Sequence, residues 1–150
     1  MRNKRRSLTG LFLLTLSIVL GCNQQVDYKS ERDKVIKLHD VVMEDQGQIV
    51  DNQMKLDTIL KDLKKLKLAF PRLDTLKEKD TLKVVIARLK KSEEQMNTWM
   101  HEFEPDVTGK SNEEAVKYFL GEQEKVREVD SSYKQELKLS NSYLSKFSKK

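Results

Sequence analysis

Two pairs of side chains with donor chemistry stand one helical turn apart in this sequence. His39 and Met43 are four residues apart, and so are Met96 and Met100. On a helix that spacing puts both members of a pair on one face. An imidazole and three thioethers form a donor set that suits Cu(I). Trp99 lies within the second pair. His101, the only other histidine, falls on the outer face of the same stretch and is a poorer donor. Packing is the plainer use of these residues. Methionine fills irregular gaps, and tryptophan covers a large area where a core closes. Met96, Trp99 and Phe103 share one apolar stripe, as packing requires.

The rest of the chain offers little chemistry. It has no Gly-rich phosphate loop, no nucleophile elbow and no pair of histidines flanking a glutamate at zinc-protease spacing. The carboxylates are numerous but scattered along charged faces, where they solvate helices and pair at i,i+4. The chain therefore reads as non-enzymatic, with no catalytic residue and no cofactor, copper being the alternative.

The lone cysteine has a setting of its own. Arg2, Lys4, Arg5 and Arg6 open the chain, and an uncharged apolar run follows from Leu11 to Leu20. The run ends in Val19-Leu20-Gly21-Cys22. It is too short for a transmembrane helix, which needs roughly 20 apolar residues. The layout is that of a signal peptide with a small residue before the cut, and its end resembles the lipobox of bacterial lipoproteins. The resemblance implies cleavage after Gly21, diacylglycerol on the Cys22 sulfur and acylation of the new amino terminus. Two or more acyl chains anchor stably where one is marginal. No thiol then remains for a disulfide, a metal or a nucleophile. No acidic cluster follows Asn23 of the kind that resembles a surface-export signal, which points to the periplasmic face of the outer membrane.

Cleavage also changes the charge. The full chain carries 29 Lys+Arg against 24 Asp+Glu. Residues 1–21 hold four basic residues and no acidic one, leaving 25 against 24, a net +1. Nucleic-acid binding needs a concentrated basic surface and loses its support. The short basic stretches, Lys61 to Lys67 and Lys146 with Lys149-Lys150, read as a solvated helix face and a tail.

The elements that must position the donor pairs are helical. About 128 residues follow Cys22, enough for one domain with one core. Prolines number two and glycines five, and strand-like alternation is absent. Residues 22–31 read as the lipidated cysteine and a polar tether, 32–147 as the folded domain and 148–150 as a tail. The first helix is predicted from about Arg32 to Leu68, on a heptad spine of Val35, Val42, Ile49, Leu56 and Leu63. Leu38, Ile59 and Leu66 fill companion positions, and Asp45 and Asn52 interrupt them. Polar breaks of this kind set register at a cost in stability. Pro71 disfavours helix at Phe70. The second helix is predicted from a Thr75/Glu78 capping box, or from Asp80, to about Phe103, on Leu82, Leu89, Met96 and Phe103, with Val85 and Trp99 beside them. The third opens with a Ser111/Glu114 capping box. It runs to about Phe147 through Val116, Phe119, Val126, Tyr133, Leu137 and Leu144, interrupted by Gln123 and Asp130.

Short connections make neighbouring helices antiparallel. The expected fold is all-α, an elongated, coiled-coil-like antiparallel three-helix bundle. Its alternative is a long helical hairpin that completes its core by oligomerising. In either, the start of the first helix lies beside the end of the second, so His39, Met43, Met96, Trp99 and Met100 gather at one pole, next to the tether.

The segments HDVVM, MNTWMHEFEPD and YFLGEQEKVREVD, with the lipobox, resemble a family of small Bacteroidetes lipoproteins commonly labelled "viral A-type inclusion protein". The resemblance spans most of the mature chain and implies no activity. Family members often carry a further methionine where this chain has Gln46, which weakens a methionine-based site. The sequence thus leads to a lipid-anchored interaction or scaffold module of the cell envelope, attached to a membrane through Cys22 and partnered by another envelope protein. A periplasmic copper-handling lipoprotein is the alternative.

Overall fold

A computed structural model describes residues 26–148. The expected signal peptide, Cys22 and the tether up to Gln25 lie outside the described residues. The described chain is an all-α bundle of four helices: α1 Tyr28–Lys61, α2 Leu63–Ala69, α3 Thr75–Glu102 and α4 Asn112–Ser145. None of them is long and apolar enough to cross a membrane.

Each long helix buries a stripe, advancing by seven along most of α1 and by steps of three and four along α3 and α4. On α1 it runs through Val35, Val42, Ile49 and Leu56, on α3 through Leu82, Leu89, Met96 and Trp99, and on α4 through Ala115, Phe119, Val126 and Tyr133. That spacing keeps one side of a helix facing its neighbours along its whole length. α1 packs most extensively on α4. Cross-links fix the directions. Glu31 meets Gln123 and Asn52 meets Ser140, so α1 and α4 run parallel. Trp99 meets Glu122 and Arg88 meets Glu136, so α3 runs antiparallel to α4. Gln53 meets Glu93, while His39 lies against Trp99, so α3 also opposes α1.

Two of the four polar interruptions, Asn52 and Gln123, are paired inside the bundle. Asn52 is buried and its Nδ2 donates to Ser140 Oγ and Asn141 Oδ1, both at 2.8 Å. Gln123 is buried and its Nε2 donates to Glu31 Oε2 at 2.7 Å. Arg88 grips Glu136 with two nitrogens at 2.9 Å each. A buried polar group without a partner is costly, so each such pair penalises other registers.

Four features differ from the sequence reading. α1 starts at Tyr28, four residues early, because Asp27 caps it by accepting from the Lys29 amide. Residues Tyr28 to Glu31 are therefore helical rather than tether. The long first helix is two helices, broken at Asp62, whose non-helical backbone lets its carboxylate accept from the Lys65 amide and cap α2. This makes four helices where three were expected. α3 is capped by Asp74, not by a Thr75/Glu78 box; Asp74 accepts from the amides of Leu76 and Lys77. Val116 is only half-buried, and Ala115 takes the inward place. The Ser111/Glu114 box is present as read.

Candidate functional site

The pole where α1 begins is built from aromatic rings. Trp99 ends the buried stripe of α3 and stacks on Phe103, with ring centroids 4.9 Å apart and 22° between planes. Phe103 meets Phe119 edge-on, and Tyr28 stacks over Phe119. Gly109 turns the chain into α4 with φ at +88°, a conformation that glycine adopts without strain. Val107 in that connection is buried against the core.

Polar contacts fix the rings. Trp99 Nε1 donates to Glu122 Oε2 at 2.9 Å, and Lys125 Nζ reaches the other Glu122 oxygen at 2.8 Å. Asn112, the first residue of α4, clasps the start of α1. Its Oδ1 accepts from the Tyr28 amide at 3.1 Å, and its Nδ2 donates to the Val26 carbonyl at 2.8 Å. The point where the N-terminal segment leaves the bundle is thereby held against α4.

Glu31 sits beside this clasp and is nearly closed off from solvent. Hydrogen bonds from Lys34 and from the Gln123 amide hold its carboxyl below its ordinary value of 4.5, against burial, which acts the other way. A carboxyl depressed in the folded state stabilises the fold above its unfolded value, and that stability is lost as pH falls through the folded value. Acid titration of stability below about pH 4.5 should therefore be shallower for Glu31→Gln than for the parent protein. An unchanged acid limb would show that Glu31 is not linked to folding.

The four donor candidates have different fates. Met96 is fully buried and belongs to the core. Met43 and Met100 are 36% and 39% exposed at the surface. His39 is half-buried, with its ring centroid 5.8 Å from that of Trp99, and its Nδ1 lies 3.0 Å from Asp40 Oδ1. His101 is exposed. The structure brings His39 to Trp99, as the pairing of helix ends requires. The thioethers divide between core and surface. Among the described residues no three of His, Cys, Asp and Glu gather as a metal-binding group. Cys22, the lipid-attachment candidate, lies outside the described residues.

Sequence reasoning missed Glu31, Asn112 and Glu122. Glu31 was assigned to the tether. Asn112 follows the Ser111 cap with no local pattern to set it apart. For Glu122 there was a signal: it lies three residues after Phe119 and four before Val126, on the buried stripe. No protein-family model, curated protein or solved structure matches this chain.

Proposed function

We propose that this protein is a lipid-anchored helical module of a bacterial cell envelope that works without catalysis, by presenting a helix face to another envelope protein. It would be attached through lipid on Cys22 to the periplasmic face of the outer membrane, as in the Bacteroidetes lipoproteins its segments resemble. Its three long helices would act as an elongated antiparallel rod, coiled-coil-like in its seams.

One observation on α1 carries the interaction half. Ile36, Met43 and Val50 repeat every seven residues, one position beyond the buried Val35, Val42 and Ile49, and are 43%, 36% and 36% exposed. Met54 extends the same stripe. A second heptad row beside the first is what a helix needs to pack one neighbour inside its own bundle and another outside it. Gly47 lies in the outer row. A Cβ there would meet nothing within 4 Å, so the fold itself does not call for glycine. A partner backbone approaching closely would.

The test combines both features. Met43→Lys with Val50→Lys should leave helicity and thermal midpoint nearly unchanged, because surface changes are usually small. The same variant should lose the partner that the acylated protein pulls down from its native envelope. Gly47→Ala should stabilise the fold by about 0.5–1 kcal/mol, since glycine inside a helix is unfavourable by that amount. It should nevertheless weaken capture. Gly121→Ala, on an equally open site of α4, should stabilise without affecting capture. Unchanged capture in the Lys double variant would remove the stripe as the interface. For the anchor, Cys22→Ala should leave an uncleaved precursor with its Arg-rich start intact, and mass spectrometry reads the difference. An unmodified Cys22 in the mature protein would refute lipidation.

Cu(I) binding is the second reading. Its support is that His39, one turn from the exposed Met43 on α1, lies against Trp99, which the exposed Met100 follows on α3. Cu(I) competition against a chelator decides it: a metal role requires His39→Ala to abolish retention with helicity intact.

A further inference from the structure

The pole opposite the Trp99 end has a different character. Leu68 and Leu76 are the two most exposed large apolar side chains among the described residues, at 82% and 77%. They belong to different helices, α2 and α3, yet both border one surface depression of about 570 Å³. Its lining consists of three leucines, three lysines and a threonine, with no acidic residue. The lysines are Lys64, Lys67 and Lys79.

Charge is concentrated here as well. Residues 61–79 hold seven basic and three acidic side chains, a net +4, while the rest of the chain after Gly21 carries −3. All three acids are committed to the fold. Asp62 caps α2, Asp74 caps α3, and Glu78 accepts from the Tyr143 hydroxyl. At the other pole, residues 26–45 and 102–114 hold eleven acidic and five basic side chains. The helix between the poles is about 50 Å long, several Debye lengths at physiological salt. Each end therefore meets its surroundings with its own charge.

We propose that the pole formed by α2 and the start of α3 docks onto an anionic phospholipid bilayer. Leu68 and Leu76 enter the hydrocarbon boundary, and Lys64, Lys67 and Lys79 meet the phosphates. Two features favour a bilayer over a protein partner. A leucine four-fifths exposed is a protruding knob, which a fluid hydrocarbon surface accepts without a preformed hole. Lysine beside exposed leucine is also the pairing that places a short basic segment in the headgroup region, apolar atoms inward and ammonium groups at the phosphates. The acidic pole is repelled by the same surface, so the molecule meets it end-on. Tip binding stands without the lipid anchor. With the anchor, which rests on the proposed function above, the protein spans from one membrane surface to another.

Vesicle capture tests this. The full chain is reconstituted in phosphatidylcholine vesicles through its N-terminal segment and mixed with labelled vesicles containing phosphatidylglycerol. Capture is expected, together with its loss at high salt and none for labelled vesicles of phosphatidylcholine alone. The triple variant Lys64→Glu, Lys67→Glu, Lys79→Glu should capture at least tenfold less, and so should Leu68→Ser with Leu76→Ser. All five positions are exposed, and circular dichroism confirms that the variants remain folded. Capture unaffected by either set of changes overturns the proposal, as does equal capture of neutral vesicles. Clustering of the protein-bearing vesicles with one another shows self-association and also overturns it. If the chain fails to float with its own neutral vesicles, the anchor fails instead. Direct flotation with phosphatidylglycerol vesicles, compared with the lysine variant, then tests the tip alone. No binding in that arm overturns the proposal and leaves the depression to an acidic protein partner.

Discussion

Trp99→Ala should lower stability by about 3–5 kcal/mol, the range for deleting a large buried aromatic. Three losses coincide at that site. The ring leaves a cavity where the bundle closes, since Trp99 is buried. Phe103 loses its stacked partner at 4.9 Å. Glu122, itself buried, loses the indole N–H and keeps only Lys125. Trp99→Phe separates these contributions. It preserves most of the ring contact and removes the donor, so its cost should be about 1–3 kcal/mol, that of a buried acceptor left short of a partner. His39→Ala, at a half-buried position, should be mild by comparison. Chemical denaturation reads all three. If His39→Ala proved as damaging as Trp99→Ala, the pole would not be a core cap centred on the indole.

Ile49→Ala and Leu89→Ala should each cost about 2–5 kcal/mol, because both side chains are fully buried. They should also be coupled. The register that sets His39 against Trp99 and Gln46 against Glu93 brings Ile49 level with Leu89 across α1 and α3. Residues that share one packing site do not contribute independently. The double variant should depart from the sum of the single changes by more than about 0.5 kcal/mol, the usual scatter for independent sites. A cost near zero at both positions would refute the seam, and strict additivity would refute their contact.

These two positions were legible in the sequence because heptad spacing of aliphatic residues reports a buried stripe directly. Asn52 and Gln123 were legible as interruptions, but their partners were not. Asn52 meets Ser140 at a separation of 88 residues, and nothing local in the chain encodes that meeting. α4 was harder to read, since its inward positions include Glu122, Glu136 and Ser140. A stripe traced through apolar residues alone passes over them and draws in Val116. The two glutamates find partners in Trp99 and Arg88, and both lie on α3. The break at Asp62 has neither proline nor glycine to announce it. Its only mark is a carboxylate three residues ahead of the Lys65 amide that it caps. At the pole, the meeting of His39 with Trp99 followed from helix pairing. The division of thioethers between core and surface depended on the rotation of each helix, which spacing alone leaves open.

The parallel course of α1 and α4 has a mechanical consequence. Because α3 returns between them, the start of α1 and the end of α4 lie at opposite poles, about 50 Å apart by helix length. A pull applied between those ends cannot peel the helices off one at a time. It must slide α1 along α4, so the Val35–Leu56 row, Asn52 with Ser140 and Glu31 with Gln123 all bear the load together. Forced unfolding is governed by the height of the unfolding barrier, and loading in shear gathers many contacts into that one barrier. Pulled through these two ends, the bundle should hold to a higher force than when pulled between the start of α1 and the end of α3, which share a pole and would unzip.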